Sequence, residues 1–177
     1  MNILLTSQLE FYLCTFFLEW KEMKLIVGET SIKKGKLIAT VSVPKEFKLS
    51  FDVKATSFRK NYNSIIKIEG VLNVWFRGVD TTKGLTVRMF KMNGGRKDFL
   101  RPKVYKTDQW INVVISQIKE NEGYQFKVEV NGEVLHKAIN NQPESVSNAK
   151  VLVADGYFVS AEGFLPGYIR KLSLRSR

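Results

Sequence analysis

The stretch FKLSFDVKA, residues 47–55, sets Phe47, Leu49, Phe51 and Val53 against Lys48, Ser50, Asp52 and Lys54 in strict alternation. Successive side chains of a strand point to opposite faces, so this order sends the apolar set into a core and the polar set to water. It predicts a half-buried antiparallel strand. Working outward, short runs of the same kind recur at 36–43, 64–69, 71–77, 85–92, 111–118, 124–130, 133–139, 150–154 and 168–174. Turn-forming residues separate them, among them Glu69-Gly70, Asn93-Gly94-Gly95, Asn131-Gly132 and Asp155-Gly156. Asn131-Gly132 lies between YQFKVEV and EVLHKAI and predicts a two-residue hairpin turn with positive φ at both positions. Many short strands at this spacing mean an all-β sandwich or barrel.

Composition removes several functions before any motif is considered. The chain has 177 residues, enough for one domain that buries most of its unfolded surface. One Cys (Cys14) and one His (His136) leave no disulfide, thiolate zinc cage or multi-histidine site. No cofactor motif is present, and the scattered single acids Asp80, Asp108 and Asp155 disfavour a calcium site, which needs six to eight oxygens, without settling calcium dependence. His136 sits in a strand-like run without a neighbouring carboxylate or thiol and reads as structural.

Charge is uneven along the chain. Lys and Arg number 28 and Asp and Glu 17, a net charge of +11. Residues 1–24 carry Glu10, Glu19 and Glu22 against Lys21 and Lys24, a net of −1, so residues 25–177 carry +12. This first segment is apolar and is expected to stand apart from a domain at 25–177. It reads either as an amphipathic helix, with Leu5, Leu9, Leu13, Phe16 and Trp20 on one stripe, or as a degenerate secretory signal. No uncharged apolar run reaches the length of a membrane span.

Two constellations suggest binding. In VLNVWFR (71–77), Leu72, Val74 and Phe76 share one face and Asn73, Trp75 and Arg77 the other; in LTVRMFKM (85–92), Arg88 and Phe90 share a face with Thr86. If the two strands pair, Asn73, Trp75, Arg77, Arg88 and Phe90 form an outer face with an aromatic platform, an amide and guanidinium groups, which suits a glycan. The other constellation is the basic run of Arg88, Lys91, Arg96, Lys97, Arg101, Lys103 and Lys106, interrupted only by Asp98. If GGRKDFLRPK projects as a loop, its field attracts sulfated glycan or another polyanion. The strand pattern matches no nucleic-acid module.

The segment WINVVISQIKENEGYQFKVEVNGE (110–133), with NAKVLVADGYF (148–158) and GYIRKLSL (167–174) in the same order, resembles laminin-G-like and other concanavalin-A-like jelly rolls. With FKLSFDVKA the resemblance spans roughly residues 25–175. It implies an antiparallel sandwich, a structural place for Trp110, an extracellular setting and basic loops that bind heparan-type chains. Galectins are similar more distantly, but their H-x-N-P-R and W-x-x-E strands are missing. The E-x-D-x-x-E strand of related glycoside hydrolases is also missing, and Glu129 and Glu133 flank a turn instead. The expectation is a non-catalytic module that binds a glycan, sulfated or otherwise anionic, or an extracellular protein. The alternative is an assembly module whose residues 1–24 pack on the Trp75 and Phe90 face or on a partner subunit. No N-x-S/T acceptor site supports the extracellular setting, and oligomeric state is not legible.

Overall fold

The computed structural model describes residues 19–60, 62–77, 84–101, 104–154 and 164–177. Thirteen strands run through them: β1 (Lys21–Ile26), β2 (Thr30–Ser31), β3 (Lys36–Val43), β4 (Phe47–Ala55), β5 (Tyr62–Ile68), β6 (Leu72–Arg77), β7 (Leu85–Met92), β8 (Gly95–Arg101), β9 (Trp110–Glu120), β10 (Gly123–Val130), β11 (Glu133–Asn140), β12 (Val146–Val153) and β13 (Gly167–Ser176). They form two antiparallel sheets. One is ordered β1-β13-β4-β9-β10-β11, with β2 added beside β13; the other is β3-β12-β5-β6-β7-β8. Among the described residues no element is helical.

The alternation of faces along residues 47–55 is kept in the sandwich, although Asp52, on the outer side, is buried among its hydrogen-bond partners. Phe47, Leu49, Phe51 and Val53 are buried between the sheets, while Lys48 is exposed and Ser50 and Lys54 are half-buried on the outer side. Burying a side chain such as Phe51 contributes about 1.5–3 kcal/mol, so this row alone anchors the middle of its sheet. From the opposite sheet, Leu72, Val74, Phe76, Leu85, Val87 and Met89 complete the core. Asn131 and Gly132 have φ of 51° and 80°, the left-handed pair that the β10–β11 turn requires.

Two segments differ from their sequence reading. The boundary expected after residue 24 falls inside β1, which pairs with β13 through Lys21–Ser176 to Ile26–Leu172. Leu5, Leu9, Leu13, Phe16 and Cys14 lie outside the described residues, whereas Trp20 lies within them, 5.3 Å below the Arg177 guanidinium. The segment GGRKDFLRPK does not project as a loop, because residues 95–101 are β8, paired along β7. Phe99 explains the difference. It is buried against Phe126 of the opposite sheet, with ring centroids 4.9 Å apart, and holds the strand down despite its charged neighbours.

A buried amide fixes the end of the β7–β8 hairpin. The Asn140 side chain accepts a hydrogen bond from the Asn93 amide at 2.9 Å and donates to the Lys91 carbonyl at 2.8 Å and to Gln117 Oε1 at 2.7 Å. The hairpin of one sheet is thereby tied to β9 and β11 of the other.

Candidate functional site

Strands β6 and β7 pair as expected, with Asn73 opposite Arg88 and Trp75 opposite Thr86. The neighbouring strands complete the outer face: β8 sets Asp98 beside Arg88 and Leu100 beside Thr86, and β5 sets Tyr62 beside Arg77. Together these side chains enclose a cleft of about 120 Å³, with Tyr62, Trp75 and Leu100 as its apolar lining and Arg77, Thr86, Arg88 and Asp98 as its polar lining. Ligand pockets for whole drug-sized molecules run to about 300–1,000 Å³, so this cleft accommodates a single substituent.

Arg88 organises it. Its Nε and Nη2 donate to the two carboxylate oxygens of Asp98 at 2.6 and 2.7 Å, a bidentate fork. The same guanidinium lies 5.2 Å from the centroid of the Trp75 ring, whose edge meets Tyr62 at 6.2 Å and 72°. The hydrogen bonds from Arg88 hold the Asp98 carboxyl below its ordinary value against the opposing effect of burial, and the charges of Arg96 and Arg77 add to this. Three guanidinium groups thus act on one carboxylate, which leaves an excess of two positive charges.

The structure relocates the residues expected to hold a glycan. Trp75 is 2% exposed, so its face is not a platform; Arg88 lies over it and the indole serves as a wall. Arg77 and Arg88 line the cleft with it. Asn73 is buried one row away, its side-chain oxygen without a hydrogen-bond partner, and Phe90 lies half-buried farther along β7. Tyr62, Asp98 and Leu100 are cleft residues that the sequence reading did not assign to this face, and Thr86, which it placed on the face, is part of the lining as well. Asp98 left a signal there as the one acid in a basic run.

The basic run is divided by the pleat of β8. Arg96, Asp98 and Leu100 alternate with Lys97 and buried Phe99, so Lys97 points away from Arg96, its ammonium 5.5 Å from the Phe99 ring. Lys91 is exposed and paired with Glu144 at 2.9 Å, and Lys106 is exposed. The Arg101 side chain and Lys103 lie outside the described residues.

A second tryptophan occupies the outer face of the seven-stranded sheet. Arg170 lies 3.9 Å from the Trp110 ring centroid and donates to Asp52 at 3.0 Å; Lys54 sits between Trp110 and Tyr168, at 4.8 and 4.9 Å. Asn112 donates to Asp52 at 2.9 Å. Burial pushes the Asp52 carboxyl up, but the Asn112 and Arg170 hydrogen bonds and the Lys171 charge outweigh it and leave it lowered.

Among the described residues no group of three or more His, Cys, Asp or Glu side chains is placed to hold a metal ion. Asp108 is exposed, and Asp80 and Asp155 lie outside the described residues. His136 is half-buried, its ring 5.6 Å from Phe99. No helix among the described residues is long and apolar enough to cross a membrane.

No protein-family model and no curated protein matches the sequence. Solved structures do match in shape. A pentraxin from Limulus polyphemus superposes with a TM-score of 0.54 at 12% identity, over 86% of this chain and 74% of its own. The CBM40 module of a Ruminococcus gnavus sialidase, bound to α2,3-sialyllactose, gives 0.53 at 13% identity over 85% and 91%. Domain 4 of the extracellular GH43 arabinanase AbnA from Geobacillus stearothermophilus, in complex with arabinotriose, gives 0.57 at 15% over 89% and 82%. The fold is a concanavalin-A-like jelly roll. Within this jelly roll, the Arg88 cleft lies on the outer face of the β5–β8 strands.

Proposed function

We propose that the chain is a non-catalytic glycan-binding module and that the cleft between β5 and β8 takes the anionic substituent of an acidic sugar. The observation that carries this reading is the excess of guanidinium charge at Asp98, from Arg77 and Arg88 in the lining of a cleft sized for one substituent and from Arg96 outside that lining. A carboxylate or sulfate there would meet the exposed Arg77 and Arg96 while the rest of the sugar packs against Tyr62, which is 38% exposed. The exposed Lys106 would add to the long-range attraction of a sulfated chain, whereas Lys97 faces the other side of β8 and Lys91 is paired with Glu144. Two of the similar structures hold oligosaccharides, sialyllactose in one and arabinotriose in the other, which favours a saccharide over a protein ligand. An assembly role with residues 1–24 on the Trp75 face has less support. Residues 21–24 pair in the other sheet, and Arg88 and Tyr62 pack on the indole.

Calorimetric titration with 3′-sialyllactose, a heparin disaccharide and lactose tests the reading. At least one acidic saccharide is expected to bind and lactose is not. Arg77→Ala is expected to weaken binding about tenfold, the loss of one charge-assisted contact of roughly 1.4 kcal/mol. Equal binding of lactose, or no binding of either acidic saccharide, overturns it.

A further inference from the structure

A larger pocket lies on the opposite sheet, where two neighbouring strands bulge at the same level. In β13, Arg170 pairs with Asp52 and Ser173 with Ser50, so three steps along β13 match two along β4 and one extra residue is inserted. In β1, Lys24 pairs with Ser173 and Ile26 with Leu172, which inserts one residue there too. The insertion in β13 keeps Ile169, Leu172 and Leu174 in the core while Arg170 and Lys171, consecutive in sequence, both face outward. Lys171 adopts φ of 50°, a left-handed conformation uncommon for a residue with a long side chain. Bulges of this kind re-aim side chains and are over-represented beside functional sites.

The pocket beside the bulges measures about 310 Å³. Its floor is a pair of hydroxyls, Ser50 and Ser173, hydrogen-bonded to each other at 2.9 Å; because Ser173 donates to Glu22, the pair offers a ligand its acceptor lone pairs. Lys24 and Lys171 stand at its rim, both exposed, and Ile26 adds an apolar side. Two carboxylates bear on it, Glu22 in the lining itself and Asp52 beside Lys171. Glu22 is engaged by Arg175 at 3.3 Å and by the Ser173 side chain, and Asp52 by Arg170 and Asn112 as well as by Lys171 at 3.5 Å. Arg170, Arg175, Lys24 and Lys171 stand against Glu22 and Asp52, so the cluster keeps an excess of two positive charges. Hydroxyls below, ammonium groups at the rim and a volume at the lower end of the ligand range describe a site for a small polyhydroxy anion.

We infer that this pocket is a second saccharide subsite, one that takes a single sugar unit bearing a carboxylate or sulfate, with the anion between Lys24 and Lys171. It rests on its own residues and does not depend on the Arg88 cleft.

Titration of the ¹⁵N-labelled full chain with glucuronate, glucose 6-sulfate and glucose, followed by amide chemical shifts, tests it. One or both charged sugars should move the Lys24, Leu172 and Ser173 amides saturably, and glucose should not; the sugar that acts identifies carboxylate or sulfate as the anion. Lys24→Gln with Lys171→Asn should weaken this binding tenfold or more, asparagine being chosen because it tolerates the left-handed conformation. If the double variant loses its dispersed spectrum, Lys24→Gln alone, at an exposed edge-strand position, should still weaken binding several-fold. The Thr86 and Leu100 amides report the other cleft in the same spectra, so failure at one site is distinguishable from failure at the other. No shift with either charged sugar, or unchanged affinity in the folded variant, overturns the inference.

Discussion

The outer faces of the two sheets carry the same trio in opposite states of shelter. On the six-stranded sheet Arg88 stacks on Trp75 and is held by Asp98; on the seven-stranded sheet Arg170 stacks on Trp110 and is held by Asp52. In the first trio the tryptophan is buried and the carboxylate side chain is 44% exposed. In the second the tryptophan is half-buried and the carboxylate side chain is 10% exposed. The member that has lost water determines what breaking the trio costs: packing in one case, compensation of charge in the other. A carboxylate open to solvent can also be approached by a ligand, whereas one enclosed by Asn112, Arg170 and Lys171 serves its own strands.

The sharpest way to break this contrast is at the tryptophans. Trp75→Ala should destabilise the fold by about 3–5 kcal/mol, as for a core aromatic, and Trp110→Ala by only about 1 kcal/mol, the scale of an exposed cation–π contact. Urea denaturation of the two variants checks this, and equal losses would remove the distinction. At the carboxylates the order should reverse. Asp52→Ala leaves Arg170 and Asn112 without their acceptor and should cost about 2–3 kcal/mol, whereas Asp98→Ala, at a partly exposed pair, should cost under about 1 kcal/mol.

The smallest effect should appear with pH. Both carboxyls are lowered in the folded state, Asp98 by the Arg88 hydrogen bonds and Asp52 by hydrogen bonds and charge that outweigh its burial. A lowered folded value means that the unfolded chain binds the proton more tightly, so the contribution is fully present above the unfolded value of about 4 and is lost as the pH falls through the folded value. Denaturation midpoints between pH 7 and pH 2 should therefore fall mainly below about pH 4, and less steeply in Asp52→Asn than in the parent.

What the sequence showed and what it concealed follow from the physics of each segment. Alternation placed β3, β4 and β7 at their observed ends, because period-two burial needs only local order. It did not reveal β8, where one buried aromatic, Phe99, offsets a charged strand through a contact with Phe126 of the other sheet. Nor did it reveal that Trp75 would be sheltered. Periodicity assigns a side chain to a face, but exposure depends on what the neighbouring strands set over it, here Arg88 and Tyr62. The partnership of Arg88 with Asp98 is likewise a matter of register, fixed once β7 and β8 pair. The bulge in β13 did leave a trace: Ile169, Leu172 and Leu174 are spaced by three and then two, a break in alternation that two outward cations fill.

The position of β13 bears on how this sandwich is made. It is the last of the described strands in sequence, yet it lies between β1 and β4. A nascent chain emerging from the ribosome holds β1 and one edge of β4 without their β13 partner until residues 167–176 appear, so this sheet closes only after the other described strands have been made. Within the β5–β8 meander each pairing joins sequence neighbours and can form earlier, with β12 added to β5 afterwards. The Arg88 cleft is thus assembled from local pairings, while the bulged pocket waits for the most distant pairing among the described strands.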